Sequence, residues 1–431
     1  VVNFRLSKPY IYDQKNLEAN DMRNCFTVLI IVSFLFCPVW AKEVPQKKDA
    51  KAPAAKTATP VKPPVKPPVA NKTPPPPPPP SVKVEPYKAF IVVEAETGIV
   101  IEGENVHQKC WPASITKLML GSVVLDKLKS GQIKLDDKVT VSPDASSMGG
   151  SQVYLKPGEV FSLDELMRAV MVASANDAAY AVAEFVAGSR NAFVDMMNEK
   201  AHQLNMVDSK FESMHGLPPA QNQEPDVSSP YDLAILGREL VKDPQLLAWT
   251  SLKTEPFRDG TLVMRNHNNL MNRFSGMDGL KTGFYREAGY SIVATAKRND
   301  LRLIAVVMGS SAAKLRDSVV DEKLKKAFGQ YEMVSVVKQG DTIDKEIALP
   351  DGKQKTVKPI AASGFSYPLA RDKKKLLTKN IDLPDQIKGE IKQGQRMGEM
   401  VINFNNGVVG KVDLVSPVDV AKRGFFSRIF N

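Results

Sequence analysis

Ser114 and Lys117, within the run Cys110-Trp-Pro-Ala-Ser-Ile-Thr-Lys117, set a hydroxyl and an amine three residues apart. If Ser114 opens a helix, that spacing returns Lys117 to the same face, beside the hydroxyl. The serine oxygen would also lie in the positive end of the helix, where a developing anion is favoured. Such a pair can do nucleophilic chemistry. A serine is a poor nucleophile at its own pKa, and an amine kept neutral by burial or a neighbouring cation can take its proton. Two more groups have chemical potential. Ser174-Ala-Asn176 sets a hydroxyl and an amide between two apolar helical runs, and Lys281-Thr-Gly283 combines a cation, a hydroxyl and a residue without Cβ. The glycine gives room for a substrate backbone to approach the strand that follows. Singly, each has a plainer meaning: a chance spacing, a helix cap, a solvated strand start.

The elements that must position these groups are legible around them. Ile115, Leu118, Met119, Val123, Leu125 and Leu128 recur at helical intervals, and Ser130-Gly131 supplies a stop. Apolar Phe90 to Val93 and Ile99 to Ile101 flank Glu96-Thr97-Gly98, which predicts a hairpin leading to the Ser114 helix. Ser162-Leu-Asp-Glu165 is a capping-box pattern, opening a helix that should run to about Ala173. Gly289 to Ala296 and Leu301 to Met308 read as apolar strands joined at Asn299-Asp300, with a helix over Leu315 to Phe328. After Gly329 the alternations shorten: Glu332 to Val337, Glu399 to Phe404 and Val408 to Val412 predict a small antiparallel β-domain over 331–415, without a catalytic constellation.

The 431 residues suffice for two cores, and the formal charge of +10 suits a polyanionic neighbourhood: anionic lipid, acidic wall polymer or nucleic acid. No zinc-finger spacing, RNP-like aromatic pattern or homeodomain-like helix is present, so nucleic acid is not an expected partner. Three cysteines and four histidines offer no metal-ligand spacing, and no cofactor is expected. Met22, Arg23, the apolar run Cys25 to Phe36, and Val39 and Ala41 follow the order of a secretory signal over 22–41, cut before Lys42. Residues 1–21 then read as a mis-assigned extension ahead of the true start. Residues 42–86, rich in Lys, Ala and Pro and ending in a run of prolines from Pro74 to Pro80, predict a stiff exported linker. Over 416–431, Phe425, Phe426, Ile429 and Phe430 fall at helical spacing beside Lys422, Arg423 and Arg428, the pattern of an amphipathic helix lying on an anionic membrane surface or docked on the β-domain.

In this order, S-x-x-K, S-x-N and K-T-G on a strand resemble the penicillin-recognising serine enzymes. With Trp111-Pro-Ala-Ser-Ile-Thr-Lys117, Met214-His-Gly-Leu217, Arg265-Asn-His-Asn-Asn-Leu270 and Gly279 to Ala296, the chain more closely resembles the low-molecular-weight penicillin-binding proteins that act as serine D-alanyl-D-alanine carboxypeptidases, the S11 peptidases. The long Pro-Lys linker departs from their usual pattern. The resemblance implies an α/β (α+β) penicillin-binding/β-lactamase-like catalytic domain over 87–330, with a sheet, an all-helical lobe and the active site between them, followed by the all-β domain. It implies Ser114 as nucleophile, Lys117 as base, Lys281 as second cation, Ser174 as proton relay and Asn176 orienting the substrate amide. The oxyanion donors would be the N–H groups of Ser114 and Phe284. Thr282, Gly283, Phe284, His215 and Arg316 would meet substrate, with Arg316 forking a terminal carboxylate or else lying on a solvated face. The implied partners are peptidoglycan stem peptides, β-lactams as covalent inhibitors and an anionic membrane; the implied location is the periplasmic face of the cytoplasmic membrane. His267, Trp111 and Cys110 read as packing or hydrogen-bonding residues. A D,D-endopeptidase, a β-lactamase using Glu212, and a wall-binding scaffold without turnover are the rival expectations.

Overall fold

The computed structural model describes residues 86–423. The expected extension, signal segment and most of the linker lie outside them.

Strands β1 (Ala89–Glu94) and β2 (Val100–Glu104) form the predicted hairpin. The chain then makes a 3-10 turn (Ala113–Thr116) that feeds helix α1 (Lys117–Lys129). A small ladder of β3 (Lys138–Thr140) and β4 (Val160–Ser162) encloses the short helix α2 (Pro143–Ser146). Helix α3 (Leu163–Arg168) starts on the predicted capping box: Ser162 Oγ accepts from Glu165 N, and Glu165 Oε2 accepts from Ser162 N. It continues as a π-helical turn (Ala169–Ala173). Helices α4 (Asn176–Ala187), α5 (Arg190–Gln203), α6 (Pro230–Leu240) and α7 (Pro244–Thr250) complete the helical lobe, with a hairpin of β5 (Thr254–Phe257) and β6 (Leu262–Arg265). Strands β7 (Met277–Tyr285), β8 (Gly289–Arg298) and β9 (Leu301–Ser310) lead into α8 (Ala313–Gln330).

These strands make an antiparallel sheet in the order β2-β1-β9-β8-β7, which leaves β7, the Lys281-Thr-Gly283 strand, at an edge. Strand alternation divides the core into two layers. Ile91, Val93, Val293, Ile304 and Val306 pack with the helical lobe, whereas Phe90, Val92, Ala294, Leu303 and Ala305 pack with Val320 and Leu324 of α8. Helices on both faces and a helical lobe are the penicillin-binding/β-lactamase-like arrangement the motifs imply.

The C-terminal part is all-β apart from a 3-10 turn (Arg371–Leu376). Strands β10 (Tyr331–Val337) and β14 (Phe365–Ala370) pair, as do the two-residue strands β11 (Ile347–Ala348) and β12 (Thr356–Val357). A four-stranded sheet runs β13 (Ile360–Ala361), β17 (Gly407–Val415), β16 (Arg396–Phe404), β15 (Leu377–Asp382). It covers its own core of Ile347, Ile391, Met400, Ile402 and Leu414. The expected helix over 416–431 needs correction in its first half. Residues 416–423 are not helical: after a bend at 417–418, Val420 is buried and exchanges backbone hydrogen bonds with Ile391, and Lys422 bridges Gly352. Burying Val420 and satisfying its backbone in the β-domain outweighs the helical pattern, which is carried by residues from Phe425 on, outside those described.

Candidate active site

The backbone around Ser114 is held from several sides. Cys110 exchanges two backbone hydrogen bonds with Ser228, fixing the entry to the turn. Ala113 has φ +50, a left-handed conformation costly for a residue with a Cβ, so the nucleophile candidate is presented on a strained step. Two glycines make this possible. A Cβ on Gly216 (φ +75) would overlap the Ala113 carbonyl, and one on Gly283 would overlap the Pro112 carbonyl and lie 3.2 Å from Ile115 N. The Gly283 clearance therefore accommodates the Ser114 turn itself, not a substrate backbone as its spacing suggested.

Lys117 is fully buried, and its Nζ donates to Ser114 Oγ at 3.1 Å, Asn176 Oδ1 at 2.7 Å and the His215 carbonyl at 2.6 Å. Burial pushes its pKa well below the usual amine range, and the Lys281 charge pushes the same way against the weaker pull of Asp226 and Asp177. Two acceptors, Asn176 Oδ1 and the His215 carbonyl, aim the amine at the hydroxyl while its surroundings disfavour the charge; a neutral amine can donate to both and keep its lone pair for the hydroxyl. That is the state a base needs.

Ser174 and Asn176 follow the π-helical turn. Ser174 has φ +60, which ends the helix and turns the chain into the cleft, and Asn176 N donates to Ser151 O as α4 begins. Asn176 has a different job from the expected one. Its Oδ1 accepts from Lys117 and its Nδ2 donates to Gly149 O at 2.7 Å, so the amide is occupied in positioning the lysine rather than free to orient substrate. Lys281 is also buried, with Nζ donating to the Thr282 carbonyl at 3.1 Å; burial first, then the Arg316 charge, lowers its pKa to about 7.

A cavity of about 280 Å³ brings together Ser114, Ser174, Thr282, Gly283, Phe284 and Arg316, with Ser151, His267, Asn269, Tyr290 and Ala313. No aspartate or glutamate is among these lining residues. Arg316 is buried in the first turn of α8, donating from Nε and Nη2 to Asp317 Oδ1 at 2.9 and 2.7 Å, and so is no solvated face. Phe284 is exposed and stacks on Tyr290 with centroids 4.0 Å apart. Lys117, Lys281 and Asn176 are buried and are not among the lining residues.

Two sequence expectations fail here. His215 does not line the cavity: its ring accepts Leu217 N–H at 3.1 Å, burial lowers its pKa to about 3, and its carbonyl holds Lys117. Its carbonyl positions the Lys117 amine, and it is not part of the cavity wall. His267, read as a packing or hydrogen-bonding residue, is a cavity wall residue. Glu212 is ion-paired with Lys210 at 2.6 Å and lies outside the cavity, so no deacylating carboxylate faces Ser114 from there. Cys110 is buried, and burial raises its pKa, as for an inert thiol.

Sequence reasoning missed Asp226. This buried carboxylate accepts from Thr116 Oγ1, Ser213 Oγ, Ser213 N and Glu212 N, tying the Ser114 turn to the loop that carries His215. Its partners lie 13 to 110 residues away, so no local spacing marks it.

Fold and site together define a serine hydrolase of the penicillin-recognising type, with a buried lysine beside Ser114. The D-alanyl-D-alanine carboxypeptidase family model, peptidase S11, matches residues 77–312, and that of the penicillin-binding protein 5 C-terminal domain matches residues 331–422. The chain belongs to the D-alanyl-D-alanine carboxypeptidase family. It is 35% identical over 345 residues to the D-alanyl-D-alanine carboxypeptidase DacF of Bacillus subtilis, covering 79% of this chain and 87% of that one. The crystal structure of penicillin binding protein 6B from Escherichia coli superposes with TM-score 0.62 at 30% identity, covering 79% of this chain and 97% of that chain. A D-alanyl-D-alanine endopeptidase of Pseudomonas aeruginosa is 32% identical over 224 residues, 50% of this chain and 69% of that protein.

Proposed function

We propose that the protein is a serine-type D-Ala-D-Ala carboxypeptidase that removes the terminal D-alanine from peptidoglycan stem pentapeptides through an acyl-enzyme on Ser114, and that β-lactams acylate the same serine. The observation that carries this is the buried Lys117 amine, 3.1 Å from Ser114 Oγ and biased toward its neutral form. Lys117 takes the hydroxyl proton as Ser114 attacks the penultimate D-alanine carbonyl. The N–H groups of Ser114 and Phe284 receive the oxyanion. Ser174, which shares the cavity wall with Ser114, returns a proton to the departing D-alanine amine, and water then hydrolyses the ester. Thr282 and Arg316 receive the terminal carboxylate in a cavity without acidic side chains. The carboxypeptidase reading is favoured over the endopeptidase one because the similarity to DacF runs through most of the chain, whereas that to the endopeptidase covers half.

The N-terminal signal pattern and the basic amphipathic pattern after residue 423 support an exported enzyme held peripherally at the outer face of the cytoplasmic membrane; among the described residues no helix is long and apolar enough to cross one. The test is intact mass after incubation with a labelled penicillin, wild type beside Ser114→Ala, followed by D-alanine release from a free-ended pentapeptide and a cross-linked dimer. An adduct in the wild type alone, with release from the pentapeptide, is expected. A folded wild type without an adduct would refute serine acylation, and preference for the dimer would make it an endopeptidase.

A further inference from the structure

The loop between α2 and β4 reaches the active site through Gly149 and Ser151. Ser151 lines the cavity, its carbonyl accepts Asn176 N–H at 2.7 Å, and the Gly149 carbonyl accepts from Asn176 Nδ2 at 2.7 Å. Asn176 Oδ1 in turn accepts from Lys117, so this loop lies two hydrogen bonds from the amine beside Ser114. The residues that follow are held by both poles of their backbone. Asp177, buried at the start of α4, accepts Val153 N–H and Leu155 N–H through Oδ2 at 3.1 and 3.0 Å. The carbonyls of the same stretch go to Arg258. Its Nη1 donates to Val153 O at 2.5 Å, and its Nη2 donates to Tyr154 O at 2.7 Å and Glu159 Oε2 at 2.5 Å.

Arg258 comes from the tip of the β5–β6 hairpin, whose body is anchored on the helical lobe. Glu255 pairs with Arg168 at 2.6 Å, and Phe257 stacks on Phe161 with centroids 5.0 Å apart. The Arg258 guanidinium carbon lies 5.2 and 5.5 Å from those two ring centres. The contact is made by strained backbone: Arg258 and Asp259 both have φ +50, and Tyr154, whose carbonyl is gripped, has φ +58. Left-handed backbone at residues with a Cβ persists where the surroundings over-determine it, and here it delivers a forked donor onto two successive carbonyls of one loop.

We propose that Arg258 is a positioning residue for acylation: by fixing the Val153 and Tyr154 carbonyls it holds the 149–154 loop on Asn176, and through Asn176 it holds the Lys117 amine on Ser114. This rests on the serine–lysine mechanism proposed above. Without the fork, Gly149 moves off Asn176 Nδ2, the amide is free to turn, and water reaches Lys117. The amine regains part of its solvation and its pKa rises toward the usual range. The groups facing it are unchanged: Lys281 from β7, Asp177 from α4, Asp226 from its loop, and the rings of His215 and His267. A base that acts only when neutral then fails first on the acid side, so the acidic limb of the acylation profile moves to higher pH.

The test is stopped-flow acylation by a chromogenic β-lactam across pH, beside hydrogen exchange and urea denaturation. For Arg258→Ala the rate falls about tenfold at neutral pH and less than about threefold at alkaline pH, and the Val153 and Leu155 amides exchange faster. Arg258→Lys keeps the charge but cannot fork to two carbonyls, so it falls about threefold at neutral pH with its limb moved the same way. A loss equal at every pH, unchanged exchange at Val153, or wild-type acylation by folded Arg258→Lys would overturn the proposal. Arg258 would then be a brace for the hairpin, visible in denaturation alone. If Arg258→Ala does not fold, Arg258→Lys decides by the same limb. A wild type that forms no adduct would strike instead at serine acylation itself, so the two failures are separable.

Discussion

Replacing Gly283 by alanine tests whether strand β7 and the Ser114 turn act as one unit. The added Cβ would meet backbone on the far side: it overlaps the Pro112 carbonyl and lies 3.2 Å from both Ile115 N and the Ala113 Cβ. Neither carbonyl nor amide can swing away as a side-chain tip can, so the strand must retreat by about 1 Å to restore ordinary van der Waals contact. Phe284 follows Gly283 on that strand and would carry its N–H with it, while Ser114 stays with its own turn. The two proposed oxyanion donors would then separate by a large fraction of a hydrogen-bond length. Losing one such donor costs about 100- to 1,000-fold, and a misplacement of about 1 Å costs about 100-fold. We therefore expect acylation of Gly283→Ala by a chromogenic β-lactam to slow about 100-fold, with about 1–3 kcal/mol of stability lost to overpacking. Stopped-flow acylation gives the first number and urea denaturation the second. A folded Gly283→Ala protein that acylates within about threefold of wild type would show that the strand does not help form the oxyanion site.

Two other predictions follow from the buried charges. Lys281 has a folded pKa of about 7 against an unfolded value near 10.5, so the unfolded chain binds more protons between those values and wild-type stability falls as pH drops from 10.5 to 7. Lys281→Met should remove that dependence and raise stability at pH 7 by as much as about 4 kcal/mol while abolishing acylation, measured by urea denaturation across pH; a stability loss at pH 7 would refute the burial penalty. Asp226→Ala should cost about 3 kcal/mol, since four donors lose their acceptor, and should slow acylation as the loop holding the His215 carbonyl loosens. Denaturation and acylation measured on one sample check this, and unchanged values in both would remove Asp226 from the site's support.

What could be read from the sequence was what is local. The Ser162 capping box, the hairpin at Thr97 and the serine–lysine pair each depend on residues a few positions apart, so spacing alone carries them. The missing parts were long-range. Asn176 reads as a free amide until Lys117 and Gly149 are seen on its two ends, and Gly283 reads as room for substrate until the Pro112 carbonyl is seen filling it. His215 and His267 were nearly exchanged in role. Each lies in a motif-like run, but only the fold shows that one ring faces Leu217 N–H and the other the cavity. At the C-terminal end, the helical spacing that starts at Phe425 was extended too far back, over a Val420 that the β-domain buries and pairs.

The electrostatics of the site have a direction that no single motif expresses. Arg316 cannot lose its proton in a protein, and Asp317 fixes it in place through two hydrogen bonds. Its permanent charge adds to burial in lowering Lys281 to about 7, and Lys281 in turn adds to burial in lowering Lys117. The order runs from a cation that cannot titrate, through one poised near neutrality, to the amine that must be free of its proton beside Ser114. A single buried lysine can gain a hydrophobic environment by one substitution. A graded series of cations needs the strand, the helix after it and the nucleophile's helix in register, which is why the arrangement belongs to the fold as a whole. It also explains why no acidic side chain lines the cavity: an aspartate or glutamate there would pair with a lysine and restore the charge that the site is built to suppress.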